Sequence, residues 1–434
     1  MAQPAIAAAF DAGPADVGWV VFGFGTAFAV ATAMWGGLAG RFGLGPSLAI
    51  GVTLVSAGSA LAVIAPSLPL LVAARIVQGL GAGAIPTLSS SAVARHFDGP
   101  ERAGALGALV AAVGLGIALG PLLGGAALEF VGWQGPMAFG IVAAPAAILL
   151  ARTDRERDPS ARIDLIGAAL VAVAVVATTF TLNRLPVLGL AAPTVASLSL
   201  VAIALPLIAL RSRRVDAFVP RRIVTDPAFT RVVALGALGM VAFLGSLVLV
   251  PVAAARAHGL DGLALGLMIL PLAMVGAIGS VNNARVQARL GRRTTTIVSL
   301  VALAGGALGS GLLGAGAPPP VVALALVPLG LGFGLLQAPL VNELTVAFGD
   351  RDRPVAVGLY NLMFFIGGAA GAAVATALVQ SGIELAPFAG RAVPGFSTTE
   401  VLLATAPALA VVVLLARGGR RLVPAVSDGS GGPR

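Results

Sequence analysis

The chain has 434 residues, of which 58% are hydrophobic and 10% charged, with a mean hydropathy of +1.00. Soluble domains carry about 25% charged residues, so a water-facing globule is excluded. The absence of cysteine excludes disulfides and thiolate metal sites.

Apolar runs near the length that spans a bilayer predict about thirteen membrane helices. In chain order they cover 18–40, 45–65, 69–92, 103–127, 132–151, 164–183, 189–210, 228–254, 262–284, 294–315, 320–345, 353–379 and 398–417. Two polar connectors, "RTDRERDPSARI" and "RSRRVDAFVPRRIVTDPAFTR", bracket a pair of spans almost free of ionisable residues. The expected layout is an N-terminal bundle over 1–151, a linker with two inserted helices over 152–215, a six-helix bundle over 216–417 and a disordered tail over 418–434.

All basic residues are arginines, and their placement reads as topology. One alternating set of connectors, from Arg41 to the tail after Arg417, holds nearly all of them. The opposite set holds only Arg184, Arg256 and Arg391, and Arg75 lies inside a span. By the positive-inside rule the first set, with the C-terminus, is expected in the cytoplasm. The net charge of +9 therefore points to a lipid surface and not to nucleic acid. Trp19, Trp35 and Trp133 are expected at the membrane interfaces.

The run "GALGALVAAVGLGIALGPLLGG" at 104–125 is the most patterned apolar stretch. Gly116, Gly120 and Gly124 stand four apart and form a bare stripe against which a helix can pack closely. Pro121 removes a backbone donor and permits a bend. Arg75, in "LLVAARIVQGLGAGAIP", is the one charge deep in a span, with Gln78 a turn away on the same face. An arginine at the bilayer centre costs about 2.5–3.5 kcal/mol, so it is expected to face a polar cavity, snorkel to an interface or pair structurally. Further substrate-path candidates are Gln337, Asn342, Glu343, Asn361 and Phe365; helix–helix hydrogen bonding and packing are the alternative roles. Glu343 could equally sit at the cytoplasmic edge. No carboxylate falls clearly at mid-membrane. "GGLAGRFGLGPSL" at 36–48 and "VNNARVQARLGRRT" at 281–294 are tight arginine-bearing connectors in the two halves, a weak internal similarity of the kind repeat-built transporters show.

These stretches resemble motifs of the major facilitator superfamily. Gly107, Gly116, Gly120, Pro121, Gly124 and Gly125 match its antiporter motif, which implies a gating helix. Arg75, Gln78, Gly79 and Gly81 match the motif of the preceding helix, and the inserted pair is similar to the extra helices of the fourteen-span drug:proton antiporter branch. Gly37, Arg41 and Gly43 match the first cytoplasmic-loop motif, but Gly40 replaces its Asp and Leu44–Gly45 its Arg-Lys pair, so its usual charge clamp cannot form. "MAQPAIAAAFDAGPADVGWV" resembles the end of a first membrane helix and its outer loop, and a start codon assigned too far downstream is the expected reason. The resemblance implies an all-α fold of two pseudo-symmetric helical bundles plus two inserted helices. It implies a non-enzymatic, monomeric efflux transporter of a bacterial inner membrane that exchanges hydrophobic or cationic small molecules for protons, using the proton gradient with no cofactor or metal. A dedicated single-metabolite exporter and a transport-incompetent sensing protein are the alternatives.

Overall fold

The computed structural model describes residues 2–97, 99–154, 164–214, 217–260, 262–349, 352–384 and 392–416. Lipid offers no partner for backbone amides and carbonyls, so each apolar run closes its hydrogen bonds within a helix. The N-terminal half comprises α1 (Gln3–Phe10), α2 (Pro14–Phe42), α3 (Leu44–Val63), α4 (Leu68–Ala82), α5 (Ala84–His96) and α6 (Gly99–Val131). It ends with α7 (Gln134–Ala138), a 3-10 turn over Phe139–Ala143, and α8 (Ala144–Leu150). The inserted pair is α9 (Leu165–Leu188) and α10 (Ala192–Arg211). The short α11 (Arg221–Val224) leads into the C-terminal half: α12 (Pro227–His258), α13 (Gly262–Leu290), α14 (Arg292–Leu313), α15 (Pro319–Ala325), α16 (Val327–Ala347), α17 (Arg353–Ser381) and α18 (Phe396–Ala416).

Among the described residues, ten helices are long and apolar enough to cross a membrane. Shorter apolar stretches at Asp16–Thr32, Leu122–Val131 and Gln134–Leu150 stand where three further spans are predicted, so the expected thirteen is not confirmed. The predicted tail over 418–434 lies outside the described residues.

The two halves share a local device. α2 joins α3 through Gly43 (φ 90°), and α13 joins α14 through Gly291 (φ 79°). Both glycines sit with ψ near 155°, a conformation that costs any residue with a Cβ several-fold more than glycine. The similarity between 36–48 and 281–294 is therefore a shared one-residue turn.

With no hydrophobic drive between helices in lipid, association rests on close backbone approach. In the C-terminal half α12 lies along α17, and a Cβ at Gly371 would come 2.1 Å from the Val241 carbonyl. In the N-terminal half Gly79 of α4 meets the Phe24 carbonyl of α2 as tightly, at 2.4 Å. The expected Gly116–Gly120–Gly124 stripe is different: a Cβ at any of the three would meet nothing within 4 Å. α6 instead lies along α13 of the opposite half, on a side the stripe does not face. Glycine spacing identified a bare surface correctly but not the helix it would meet.

Two other expectations change. Trp35 and Trp133 are buried, Trp35 donating its indole N–H to the Leu80 carbonyl at 2.8 Å and Trp133 packing on Phe10. Both belong to helix packing more than to an interface belt. In place of the degenerate loop clamp, Asp154 ties the end of the half together: its carbonyl accepts from the Gly45 amide at 3.1 Å and its carboxylate lies 3.4 Å from Arg95 and 3.5 Å from His96.

The inserted pair is not peripheral throughout. α10 packs on α9 and turns large apolar side chains such as Ile203 and Leu210 outward, whereas α9 packs on both α2 and α17. At one end Asp164 caps α9 through the Gly167 amide, accepts from Arg211 at 2.7 Å and accepts from the Phe218 amide at 3.0 Å. Burial raises the Asp164 pKa, but the bonds from Arg211 and the two amides outweigh it and hold the carboxyl below its ordinary range. At the other end Arg184 donates to Asp16 of α2 at 2.6 Å.

Two stability outcomes follow from this packing. Gly371→Ala is expected to cost about 1–3 kcal/mol, as overpacking does, and to lower the Tm in detergent, whereas Gly305→Ala, facing open space, leaves it no lower; equal melting of the two would refute the α12–α17 contact. Asp164→Asn is expected to cost roughly 1.5–3 kcal/mol at neutral pH. Because the folded pKa is depressed, the ionised group's contribution is full above the ordinary carboxylate range and is lost as pH falls through the folded value. The Tm gap between Asp164→Asn and the unaltered protein should therefore narrow on acidification; a constant gap would refute the assignment.

Candidate functional site

A cavity of about 210 Å³ lies between α2, α9, α12 and α17, with Gln3 of α1 at its rim. Its walls come from the halves of these helices nearest the arginine-poor end, where Arg184 and Arg256 stand. α2 contributes Gly18, Val21, Phe22, Gly25 and Thr26; α12 contributes Leu244, Val248, Val252 and Arg256, one residue per turn along a single face. α17 contributes Phe365, Ile366, Ala369, Ala373 and Thr376, and α9 contributes Val175 and Thr179. Glycine and alanine keep the walls thin, which leaves room, and a few hydroxyls interrupt the apolar surface. Such a lining suits a hydrophobic guest fixed by a small number of polar contacts. No acidic residue lines the cavity among the described residues, and its one cation is the exposed Arg256.

Aromatic rings mark the floor. Phe28 of α2 meets Phe365 of α17 edge to face, centroids 4.7 Å apart at 83°. Phe28 lies against Phe24 on one side, and Phe365 against Phe364 and then Tyr360 on the other. Edge-to-face pairs contribute about 0.5–1.5 kcal/mol beyond their area burial. Ala29 and Val175 line the cavity and, with Val30 of α2 and Val171 of α9, also join the C-terminal half's hydrophobic core. On the flank, Thr26 Oγ1 donates to Thr179 Oγ1 at 3.2 Å, and Trp19 packs on Phe180. α9 thus closes the seam between α2 and α17.

Of the residues singled out from sequence, Phe365 lines this cavity. Arg75 does not: its Nε donates to the Val20 carbonyl at 3.2 Å, its guanidinium donates to the Gln78 side chain, and its plane lies 4.3 Å over the Phe24 ring. Gln78 in turn donates to Ser59 Oγ at 2.6 Å. The arginine is satisfied inside the α2–α3–α4 packing and touches the cavity only through the ring series. Gln337 and Asn361 meet each other at 3.4 Å, and exposed Asn342 accepts from Thr345, all towards the arginine-rich end. Glu343 pairs with Arg231 at that same end and does not reach the cavity. α6 runs as one helix through 107, 116, 120, 121, 124 and 125, and Gly116 and Gly120 are exposed on it. In the loop motif Gly37 and Arg41 are exposed and Gly43 makes the turn.

Two features were not found from sequence. The Thr178–Thr179 step was passed over because the inserted spans lack ionisable groups. Glu400, not singled out from the sequence, is completely buried on the second turn of α18.

The sequence profile described as the Major Facilitator Superfamily matches residues 1–372. A methylenomycin A resistance protein of Streptomyces coelicolor is 28% identical over 84% of this chain and 78% of its own length. The drug efflux pump JefA of Mycobacterium tuberculosis is 27% identical over 96% of this chain and 82% of its own. Among solved structures, a peptide transporter POT complexed with sulfate superposes with a TM-score of 0.67 at 17% identity, over 93% of this chain and 86% of that one, a likeness of fold.

The absence of native cysteine makes the α9 wall directly testable. Thr26→Cys combined with Thr179→Cys is expected to oxidise to a disulfide, read as loss of maleimide labelling that a reductant restores. Persistent labelling after oxidation would place α9 away from α2.

Proposed function

The chain belongs to the Major Facilitator Superfamily, and from that premise we propose that it is a secondary transporter exporting apolar small molecules that carry no positive charge, in exchange for protons. The observation that carries this reading is the cavity lining: apolar walls, scattered hydroxyls, no carboxylate among the described residues and Arg256 at the mouth. A guest cation would lose hydration there without gaining a counter-charge, so of the hydrophobic and cationic cargoes expected from sequence the lining favours the first. The names of the relatives, a resistance protein and a drug efflux pump, support the direction of transport.

In this reading the arginine-rich end faces the cytoplasm of a bacterial inner membrane, and the cavity empties outward. The Phe28–Phe365 contact is the closed floor that blocks passage from the cytoplasm. Reversal would part α2 from α17 at the floor and join them at the mouth, with α6 and α13 forming the second sliding contact between the halves. Phe365 serves as wall and floor at once, so it senses cargo and gate together. Arg75 keeps α2 rigid against α4 and needs no contact with cargo.

Expression in a drug-sensitive bacterium should raise tolerance of methylenomycin A and of the uncharged antibiotic chloramphenicol several-fold, with little effect on the lipophilic cation ethidium. Arg256→Glu should reverse that preference by placing an anion at the mouth. Equal protection against ethidium by the unaltered chain, unchanged by Arg256→Glu, would overturn the charge selection; no protection against any of the three would overturn export.

A further inference from the structure

Glu400 is the one fully buried acidic residue among the described residues. It projects from α18 between α12 and α14, where Ser246 Oγ donates to its Oε2 at 2.6 Å and Ser310 Oγ lies 3.1 Å from the same atom. Oε1 has no hydrogen-bond partner among the described residues. Ser310 Oγ also lies 2.9 Å from the Ala307 carbonyl, to which it can donate. A hydroxyl has one proton, so Ser310 cannot serve both acceptors. An ionised Glu400 would keep Ser246 as its one undivided donor and would leave an oxygen bare. A neutral Glu400 resolves the conflict: a proton on Oε2 donates to Ser310 Oγ, Ser310 donates to Ala307, and Ser246 still donates to Oε2. Only a carbonyl-type oxygen then stays unpaired, which buried proteins tolerate better than a bare donor.

Among the described residues, no cation pairs with Glu400. α18 packs on α14, α12 and α17. On α12, Arg231 pairs with Glu343, Arg256 lines the large cavity, and His258 Nε2 faces the Ala315 and Ala317 carbonyls at 3.0 Å. On α14, Arg292 and Arg293 stand at the opposite end, Arg293 donating to the Leu414 carbonyl. On α17, Arg353 donates to the Thr345 carbonyl, and Tyr360 packs against Gly236 and Phe364. A carboxylate buried without a cation or several amide donors carries a desolvation cost that protonation removes.

The site also has a short route to one surface. One turn beyond Ser246, Ser310 and Glu400 lie Val250, Ala315 and Phe396, and these border a small cavity of about 10 Å³ whose rim is His258. Glu400 stands four residues from the start of α18, about 6 Å along the axis, but sixteen from its end, about 24 Å.

We infer that Glu400 is a proton-binding site, occupied in this cavity-open form and exchanging its proton with the arginine-poor side past Phe396 and His258. Its consequence for transport rests on the export reading above. Ser246 shares one stretch of α12 with the cavity-lining Leu244, Val248 and Leu249, so release of the proton disturbs the helix that lines the cavity.

Infrared difference spectra of the purified full chain, titrated from acid to alkaline pH, test this with protons as the only ligand. The unaltered protein should show a buried protonated-carboxyl band that disappears on alkalinisation, and indicator dye should count one proton more than Glu400→Gln releases. Glu400→Gln should lack the band; Ser310→Ala, which keeps the carboxyl, should shift it, so the outcome does not depend on one variant folding. A band and proton count unchanged in Glu400→Gln would overturn the assignment, and so would a band absent from the unaltered protein. In the resistance assay Glu400→Gln should abolish protection. Failure of the unaltered chain to protect would defeat export but leave the spectra to decide Glu400, whereas full protection by Glu400→Gln with the band lost would defeat only the coupling.

Discussion

The contact between α2 and α17 is the constraint on which the rest of the arrangement depends. It is a place where the N-terminal and C-terminal halves meet through large side chains, Phe28 against Phe365. The helices leave the cavity beside that contact, and Ala29, which lines it, and Val30 merge into the C-terminal core. The same two helices need a third to close their flank, and α9 supplies it through Thr179, Phe180 and Arg184. The inserted pair therefore divides its labour, α10 presenting apolar surface outward and α9 completing the site.

Behind the floor, each half is assembled by backbone proximity more than by interlocking side chains. Lipid tails are as apolar as leucine, so exchanging one for the other yields little, and dispersion between closely approaching backbones becomes the decisive term. Gly79 against Phe24 and Gly371 against Val241 place α4 and α17 at that distance on α2 and α12. Those are the two helices that form facing walls of the cavity. Positions of the walls are thus set by glycine contacts between helices.

Much of this was legible in the sequence where a single residue type suffices. Arginine placement marked the alternating connectors, and the similarity of the two arginine-bearing connectors corresponds to the shared backbone of Gly43 and Gly291. Phe365, singled out because aromatic side chains suit hydrophobic ligands, borders the cavity. What failed was anything that depends on which helix faces which. The Gly116–Gly120–Gly124 stripe is regular in sequence but faces open space, since spacing defines a surface without naming its partner. For Arg75 a polar cavity, an interface and structural pairing were all open, and a carbonyl, an amide and a ring satisfy it locally. Glu400 escaped notice because "FSTTEVLL" reads as a polar helix start; only the depth at which α18 begins makes it interior.

The charges inside the bundle then fall into two kinds. Arg75 is fixed in place by a carbonyl, the Gln78 side chain and the Phe24 ring, and Glu343 by Arg231. Glu400 has hydroxyls, which can donate or accept with equal ease. A carboxyl among hydroxyls is served adequately in its neutral form and incompletely in its charged form, so its state answers to the proton supply more than to the fold. Glu400 meets α12 through Ser246, and α12 also lines the cavity and packs on α17. The N-terminal half contains no equivalent among the described residues: its interior charge is locked against Phe24 and Gln78. The asymmetry assigns rigidity to one bundle and responsiveness to the other, with the Phe28–Phe365 contact as the joint between them.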